Sequence, residues 1–322
     1  MDDGALFRSI RKSHNLTLAQ VADNQCSVSF ISKFERGERA ISYQHLLHLL
    51  MRVGVSIEEF SFQSWQTPGT PGTTNLPISA PYIAPFRDLV ALDTIAIHTL
   101  SDAQLEKIRT HDDHLLSGTN EARWEKFYRI FRSITYEVAL TNVHKGPYTN
   151  VQDMMTAFRK KIRPVVAYLY KVDEWGTFEL YLLRMFGAEM DSQMLYTLTK
   201  AAYQRNHGTD VFPQNADIMT NLIQGAFSRF VYDGDYTYAH DCIDWHSHMR
   251  QTNAADNALM TMFMRGWYEI YTSTESSGVA KCQHTIDLLA ELGLKKNADN
   301  KRKTLDFIIK SHHNPEMYVL FL

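Results

Sequence analysis

The chain has 322 residues, 44% of them hydrophobic, and a formal net charge of −3. That length is more than one typical domain and can bury a sizeable core, while the near-neutral charge excludes a surface that is cationic throughout, so any nucleic-acid contact has to be a local patch. The three cysteines, Cys26, Cys242 and Cys282, are odd in number and far apart, which speaks against a disulfide framework and for a reducing compartment.

The first residues, MDDGALF, carry acid where a secretion signal needs base and apolar residues, and no apolar run approaches the ~20 residues of a membrane helix. A cytoplasmic protein without a membrane partner is expected. Residues 5–12 predict a first helix with Leu6, Phe7 and Ile10 inward. Thr17 can cap a second helix, Leu18–Ala22, and Ser27 a third, residues 28–36. On the third, Val28, Ile31 and Phe34/Glu35 share one face by three- and four-residue spacing. Ser29, Phe30, Ser32, Lys33 and Arg36 share the other. Gly37 suits a left-handed helix stop. Ser42 opens a fourth helix, Tyr43–Val53, and Ser56 caps a short fifth, Ile57–Phe60. Five short helices with a tight turn between the second and third make a helix-turn-helix domain of the phage-repressor type. Its third helix enters the major groove of DNA by its N-terminal residues.

The cations Arg8, Arg11, Lys12, Lys33, Arg36 and Arg39 are six of the seven in residues 1–60, and seven acids bring that stretch to zero net charge. The patch is one-sided, and the salt dependence of DNA binding should be moderate. Residues 61–85 then hold five of the nine prolines and read as an exposed, semi-rigid linker. From residue 86 to 322 the pattern is helical almost throughout. Windows at 101–116, 120–143, 150–171, 174–187, 191–205, 214–232, 235–250, 254–272, 276–292 and 299–310 are separated by short polar or glycine breaks. Stacked helical hairpins, as in tetratricopeptide-like solenoids, are the expected architecture; with no matching sequence period, a non-repetitive bundle also fits.

FRSIRKSHNLTLAQVAD, SVSFISKFERGER and VSIEEF together resemble the N-terminus of the Rgg/GadR/MutR family of Gram-positive transcriptional regulators. SKFERGE is the most specific piece. YLYKVDEWGTFELYLLRMF, residues 168–186, resembles that family's helical effector domain. The resemblance implies an all-α homodimer whose tetratricopeptide-like domain binds a short secreted peptide pheromone. It also implies that Gln20, Ser29, Ser32, Lys33 and Arg39 touch DNA. The linker here is longer and richer in Pro, Gly and Thr than the family's usual one. Several members join subunits through a cysteine of the DNA domain; Cys26 sits at the start of the third helix and His45 on the fourth, and that bridge is not assigned.

As a DNA surface, Ser29, Ser32 and Lys33 would reach base edges, while Arg8, Arg11, Gln20, Arg36 and Arg39 would position the phosphates. Thr17, Ser27 and Phe30 belong to the same surface. In the large part, Trp175, Phe178, Leu182 and Met185/Phe186 form a core stripe. Tyr181 and Arg184 lie off it and are candidates to face a peptide groove, Arg184 by holding a carboxylate through paired hydrogen bonds. Asn221, polar within the apolar IMTNLIQGAF, is a third candidate, for the peptide backbone. HDCIDWHSH, residues 240–248, offers at most three zinc ligands on one helix face and reads as core and surface histidines, with a pH-sensing role still open. LKKNADNKRK, residues 294–303, reads as a solvated helix end. No catalytic spacing is present, no cofactor is implied and an enzyme is not expected. The expected function is a DNA-binding regulator controlled by a short apolar peptide. The alternative is a helical domain that recruits a protein partner or only dimerises.

Overall fold

The computed structural model describes residues 3–57, 60–61, 83–93, 101–113, 122–143, 145–148, 150–173, 175–206, 213–249 and 254–314. Every regular element among them is helical. Residues 62–82 of the proline-rich stretch and part of the Ser56-capped turn lie outside these residues. The chain divides into two compact units between Ala84 and Pro85.

The first unit is built on α1 (Asp3–Ser13), α2 (Leu18–Val21), α3 (Val28–Glu35) and α4 (Tyr43–Val53). Three of the four predicted caps form on these helices. Thr17 Oγ1 accepts from Gln20 N–H at 3.3 Å, Ser27 Oγ from Phe30 N–H at 3.2 Å, and Ser42 Oγ from His45 N–H at 3.3 Å. Each such cap stabilises its helix by ~1 kcal/mol. Gly37 sits at φ 71°, the left-handed conformation a side chain would oppose, and ends α3 one residue past Arg36. The core gathers Leu6, Phe7, Ile10, Val21, Cys26, Ile31, Phe34, Leu49, Leu50 and Val53. Two expectations for α3 change. Val28 is 45% exposed, because the first helical residue projects past the core that Ile31 and Phe34 fill. Phe30, expected on the outer face, is half-buried and packs against that core.

The second unit runs through α5 (Ala84–Asp93), α6 (Asp102–Thr110), α7 (Arg123–Asn142), α8 (Val151–Lys161), α9 (Arg163–Lys171), α10 (Thr177–Phe186), α11 (Ser192–Asn206), α12 (Pro213–Asp233), α13 (Tyr236–His248), α14 (Ala254–Thr272), α15 (Glu275–Glu291) and α16 (Lys295–His313). The single window at 150–171 is in fact two helices that meet at Ile162. Pro164 explains the break. It has no N–H to donate, and its ring collides with the carbonyl four residues back.

From α11 onward each helix packs on the next, and α10 packs on α12, which gives the stacked-hairpin, tetratricopeptide-like arrangement. An aromatic ladder joins α11 to α13, with Tyr196 stacked on Tyr238 at 4.0 Å and Tyr203 on Trp245 at 5.5 Å. Helices α14 and α15 approach so closely at Gly266 and Gly278 that neither site has room for a methyl group. A Cβ on Gly266 would lie 2.7 Å from Cys282 Sγ, and one on Gly278 2.5 Å from the Gly266 carbonyl. No helix among the described residues is long and apolar enough to cross a membrane.

Candidate functional sites

The turn between α2 and α3 is fixed by Asp23. Its Oδ1 accepts from Gln25 N–H at 2.9 Å and Cys26 N–H at 3.0 Å, and Oδ2 meets His48 Nε2 of α4 at 2.6 Å. The Cys26 N–H, with the His48 and Gln25 contacts, holds this carboxyl down at about 2, so the clasp stays ionised at any working pH. Cys26 itself is fully buried, with its thiol pushed up by burial. The outer face of the two helices carries Gln20, Ser29 and Lys33 exposed and Ser32 half-buried. Thr17 and Ser27 are exposed but act as caps. Gln20 Oε1 is held by Thr17 N–H at 2.8 Å within the capping box.

The predicted arginines separate. Arg8 is exposed. Arg39 is exposed and lies over the Phe30 ring at 4.7 Å, which stiffens it beside α3. Arg36 pairs with Glu38 at 2.6 Å and donates to Ser32 Oγ at 2.5 Å, so it already carries an anion that DNA would have to displace. Arg11 is a correction. It is buried, gripping Glu35 through Nε at 2.6 Å and Nη2 at 2.9 Å and the Leu16 carbonyl through Nη1 at 2.5 Å. A guanidinium so occupied inside the core cannot reach a phosphate. Its real role is to let Glu35 sit on the inward face of α3.

In the second unit, Arg184 and Asn221 are brought together at a small cavity lined by α10, α11 and α12. Arg184 is half-buried and has no ion pair or hydrogen-bonded side-chain partner among the described residues; burial pulls its pKa down. Arg229 lines the same cavity but is satisfied by Asp233 at 2.7 Å and the Ala188 carbonyl at 2.7 Å. Tyr181 departs from expectation. It is 3% exposed in the core, because α10 is buried nearly all round, with Leu180, Leu182 and Leu183 beside it. Its hydroxyl finds no acceptor among the described residues, and burial raises its pKa.

Asn221 also lines a second cavity of about 300 Å³ between α12, α14, α15 and α16. Its walls mix the apolar Leu259, Met260, Phe263 and Leu289 with the polar Asn221, Gln224, Thr285, Asn297 and Asn300 and the charged Asp256 and Lys301. Lys301 Nζ is within 3.0 Å of Met260 Sδ and 5.2 Å of the Phe263 ring, and among the described residues no carboxylate forms an ion pair with it, although Asp256 lines the same cavity and favours its charged form. Burial lowers its pKa. Sequence reading missed Lys301 and Gln224. Lys301 is hidden in a charged run that reads as solvated.

His246 accounts for the inward half of the histidine cluster. It is fully buried, and burial, with nearby Lys301, pulls its pKa down to about 4. Thr261 Oγ1 gives its proton to the Asn257 carbonyl at 2.9 Å, so it accepts from His246 Nδ1–H at 2.7 Å. That leaves His246 Nε2 to accept from Gln224 Nε2–H at 2.9 Å. The chain of bonds fixes the Gln224 amide with its carbonyl oxygen free for the cavity. His240 and His248 are exposed on other faces. Among the described residues no group of three or more His, Cys, Asp or Glu gathers as a metal site.

Comparison with known proteins matches both units. A helix-turn-helix family profile covers residues 7–60, and one described as the HTH-type transcriptional regulator Rgg, C-terminal domain, covers residues 114–303. The fold is similar to the Streptococcus dysgalactiae SHP pheromone receptor Rgg2, at 18% identity and a TM-score of 0.67, over 94% of this chain and 98% of that one. It is also similar to a Listeria monocytogenes EGD-e protein named as a transcriptional regulator, at 15% identity and a TM-score of 0.71, over 97% and 98% of the two chains. A third similar structure is the PrgX/cCF10 complex, at 12% identity and a TM-score of 0.65, over 95% and 99%. With the C-terminal profile spanning more than half of its length, the chain belongs to the Rgg family of helix-turn-helix transcriptional regulators.

Proposed function

We propose that this regulator's grip on DNA is set by a short apolar peptide held in the second unit. Residues 1–60 would form the DNA-binding domain, 61–85 the linker and 86–322 the effector and dimerisation domain of a cytoplasmic homodimer. Two heads would read half-sites about one helical turn apart. Ser29, Ser32 and Lys33 contact base edges, and Arg8, Gln20 and Arg39 position the phosphates. Arg36 joins them once DNA displaces Glu38. Arg11 has no part in the contact. The reading rests on protein–DNA recognition alone, with no catalytic chemistry.

The observation that carries the peptide reading is the pair of adjoining cavities that share Asn221. Each has one cation that forms no ion pair among the described residues, Arg184 or Lys301, and the Lys301 cavity also carries the Asp256 carboxylate. Apolar walls set with amides and unpaired cations suit an extended apolar peptide. Amides pair with its backbone, and a cation receives a carboxylate. Coupling to the heads requires the peptide to bind one arrangement of the dimer more tightly than the other.

The test is thermal melting of the full chain with short apolar peptides encoded beside its gene. A peptide at a hundred times its dissociation constant adds ~2.7 kcal/mol to the native state, a shift of several degrees. The shift should vanish in Asn221→Ala and Lys301→Met. No shift with any neighbouring peptide, in protein that still binds DNA, would favour the partner-recruiting alternative.

A further inference from the structure

The run Arg159-Lys160-Lys161 closes α8, and Arg163 opens α9. The fold treats these cations unequally. Lys161 is neutralised within the unit, with Glu137 as its ion-pair partner and Ser133 accepting at 3.1 Å. Arg159, Lys160 and Arg163 instead line one cavity of about 280 Å³, together with Thr156, Ile162, Asp191 and Met194. None of the three makes an ion pair or a side-chain hydrogen bond with a described residue. The Nε of Arg159 is buried and donates to no acceptor among the described residues, although a guanidinium N–H in that position normally has one.

Asp191 is the one carboxylate in the lining, and its Oδ1 is turned to the Met194 N–H at 2.8 Å rather than to a cation. Three cations against one carboxylate leave two positive charges facing a small cavity. Like charges brought together this way repel one another, and nothing else in the lining offsets it. Two planar guanidinium forks and an ammonium point charge suit a tetrahedral oxyanion. The forks offer paired donors and the lysine a rotatable one. Thr156, on the same wall, can add a hydroxyl.

We propose that this cavity is a second ligand site, separate from the peptide cavities, for a small molecule that carries one phosphate group. A dianionic phosphate balances the two excess charges. The volume leaves room for a small organic body beside it but not for a duplex. Ile162 and Met194 give that body an apolar wall. Because the lining comes from α8, α9 and the start of α11, an occupant would tie α11 to the two helices that the Pro164 break separates.

The experiment uses the full chain without peptide. Inorganic phosphate and glycerol 3-phosphate are titrated separately by calorimetry, and melting is followed against sodium chloride at equal ionic strength. Saturable binding of either probe is expected, weakened at least tenfold in Arg163→Gln, which is exposed and leaves the fold intact by circular dichroism. Arg159→Lys, which keeps the charge and loses the fork, should fall between. Tighter binding of the ester identifies an organic phosphate as the ligand, and equal binding identifies free phosphate. Melting no higher than in matched chloride, or unchanged affinity in Arg163→Gln, would overturn the proposal.

Discussion

Replacing Arg11 with alanine separates two roles that the sequence alone confuses. On the surface, Arg11 would hold a phosphate, and its loss would weaken DNA binding while sparing the fold. The structure puts it inside. The side chains of Arg11 and Glu35 are 8% and 4% exposed, and three hydrogen bonds of 2.5–2.9 Å occupy the guanidinium. Solvent therefore screens the pair little. Removing one partner strands a buried carboxylate and costs ~3–5 kcal/mol. The helical head over residues 3–57 has a total margin of only ~3–8 kcal/mol, so Arg11→Ala should leave it barely folded. Amide hydrogen exchange on the full chain, read from peptides within residues 3–57, should show protection falling by about two to four orders of magnitude. Replacing both residues, Arg11→Met with Glu35→Leu, should recover most of the loss, because no charge is left stranded. Unchanged protection in Arg11→Ala together with weaker DNA binding would refute the reasoning and return the residue to the interface.

At the DNA surface, Lys33→Ala should cost ~1–3 kcal/mol of operator affinity if it reads a base, whereas Arg8→Ala should weaken all sequences alike and reduce the salt slope by ~1; binding measured at several salt concentrations tells them apart. His246 gives a pH dependence of defined sign. Its folded pKa, about 4, lies below the ordinary 6.5, so the unfolded chain takes up the proton first. The stability it contributes is complete above pH 6.5 and is lost as pH falls toward 4, by roughly 3 kcal/mol at most. Denaturant titrations from pH 4 to 7 should show this slope, and it should flatten in His246→Gln. At the α14–α15 crossing, Gly278→Ala should destabilise by ~1–3 kcal/mol, since the added methyl meets backbone and not a flexible side-chain tip. An unchanged melting temperature there would show that the helices part freely.

What the sequence made legible was local. Thr17, Ser27, Ser42 and Gly37 act within a few residues of themselves, and each does what its position predicts. Arg184 lies off the core stripe and Asn221 is polar within an apolar helix, and the two do share a cavity. Arg11 and Glu35 are 24 residues apart, and an arginine on an amphipathic helix looks exposed until its partner is placed. Tyr181 was misjudged because a stripe argument assumes one wet face, and α10 has almost none. Lys301 was invisible for the opposite reason. Its neighbours Arg302 and Lys303 are exposed, and only the approach of α14 makes its surroundings dry.

The glycine contact between α14 and α15 bears on how the larger cavity could change size. Three of its four walls are α14, α15 and α16, and the first two touch backbone to backbone at Gly266 and Gly278. Such a contact leaves no side chains to slide or repack, so these two helices travel as one block. The opposite wall is α12, linked to α14 through the Gln224–His246–Thr261 chain of bonds, which passes by way of α13, and by the edge-to-face contact of Phe227 with Trp267 at 5.2 Å. The cavity is thus a clamp with one stiff jaw. An occupant of different girth is accommodated by displacement of α12, whose other face meets α10 and α11, rather than by spreading of the C-terminal hairpin.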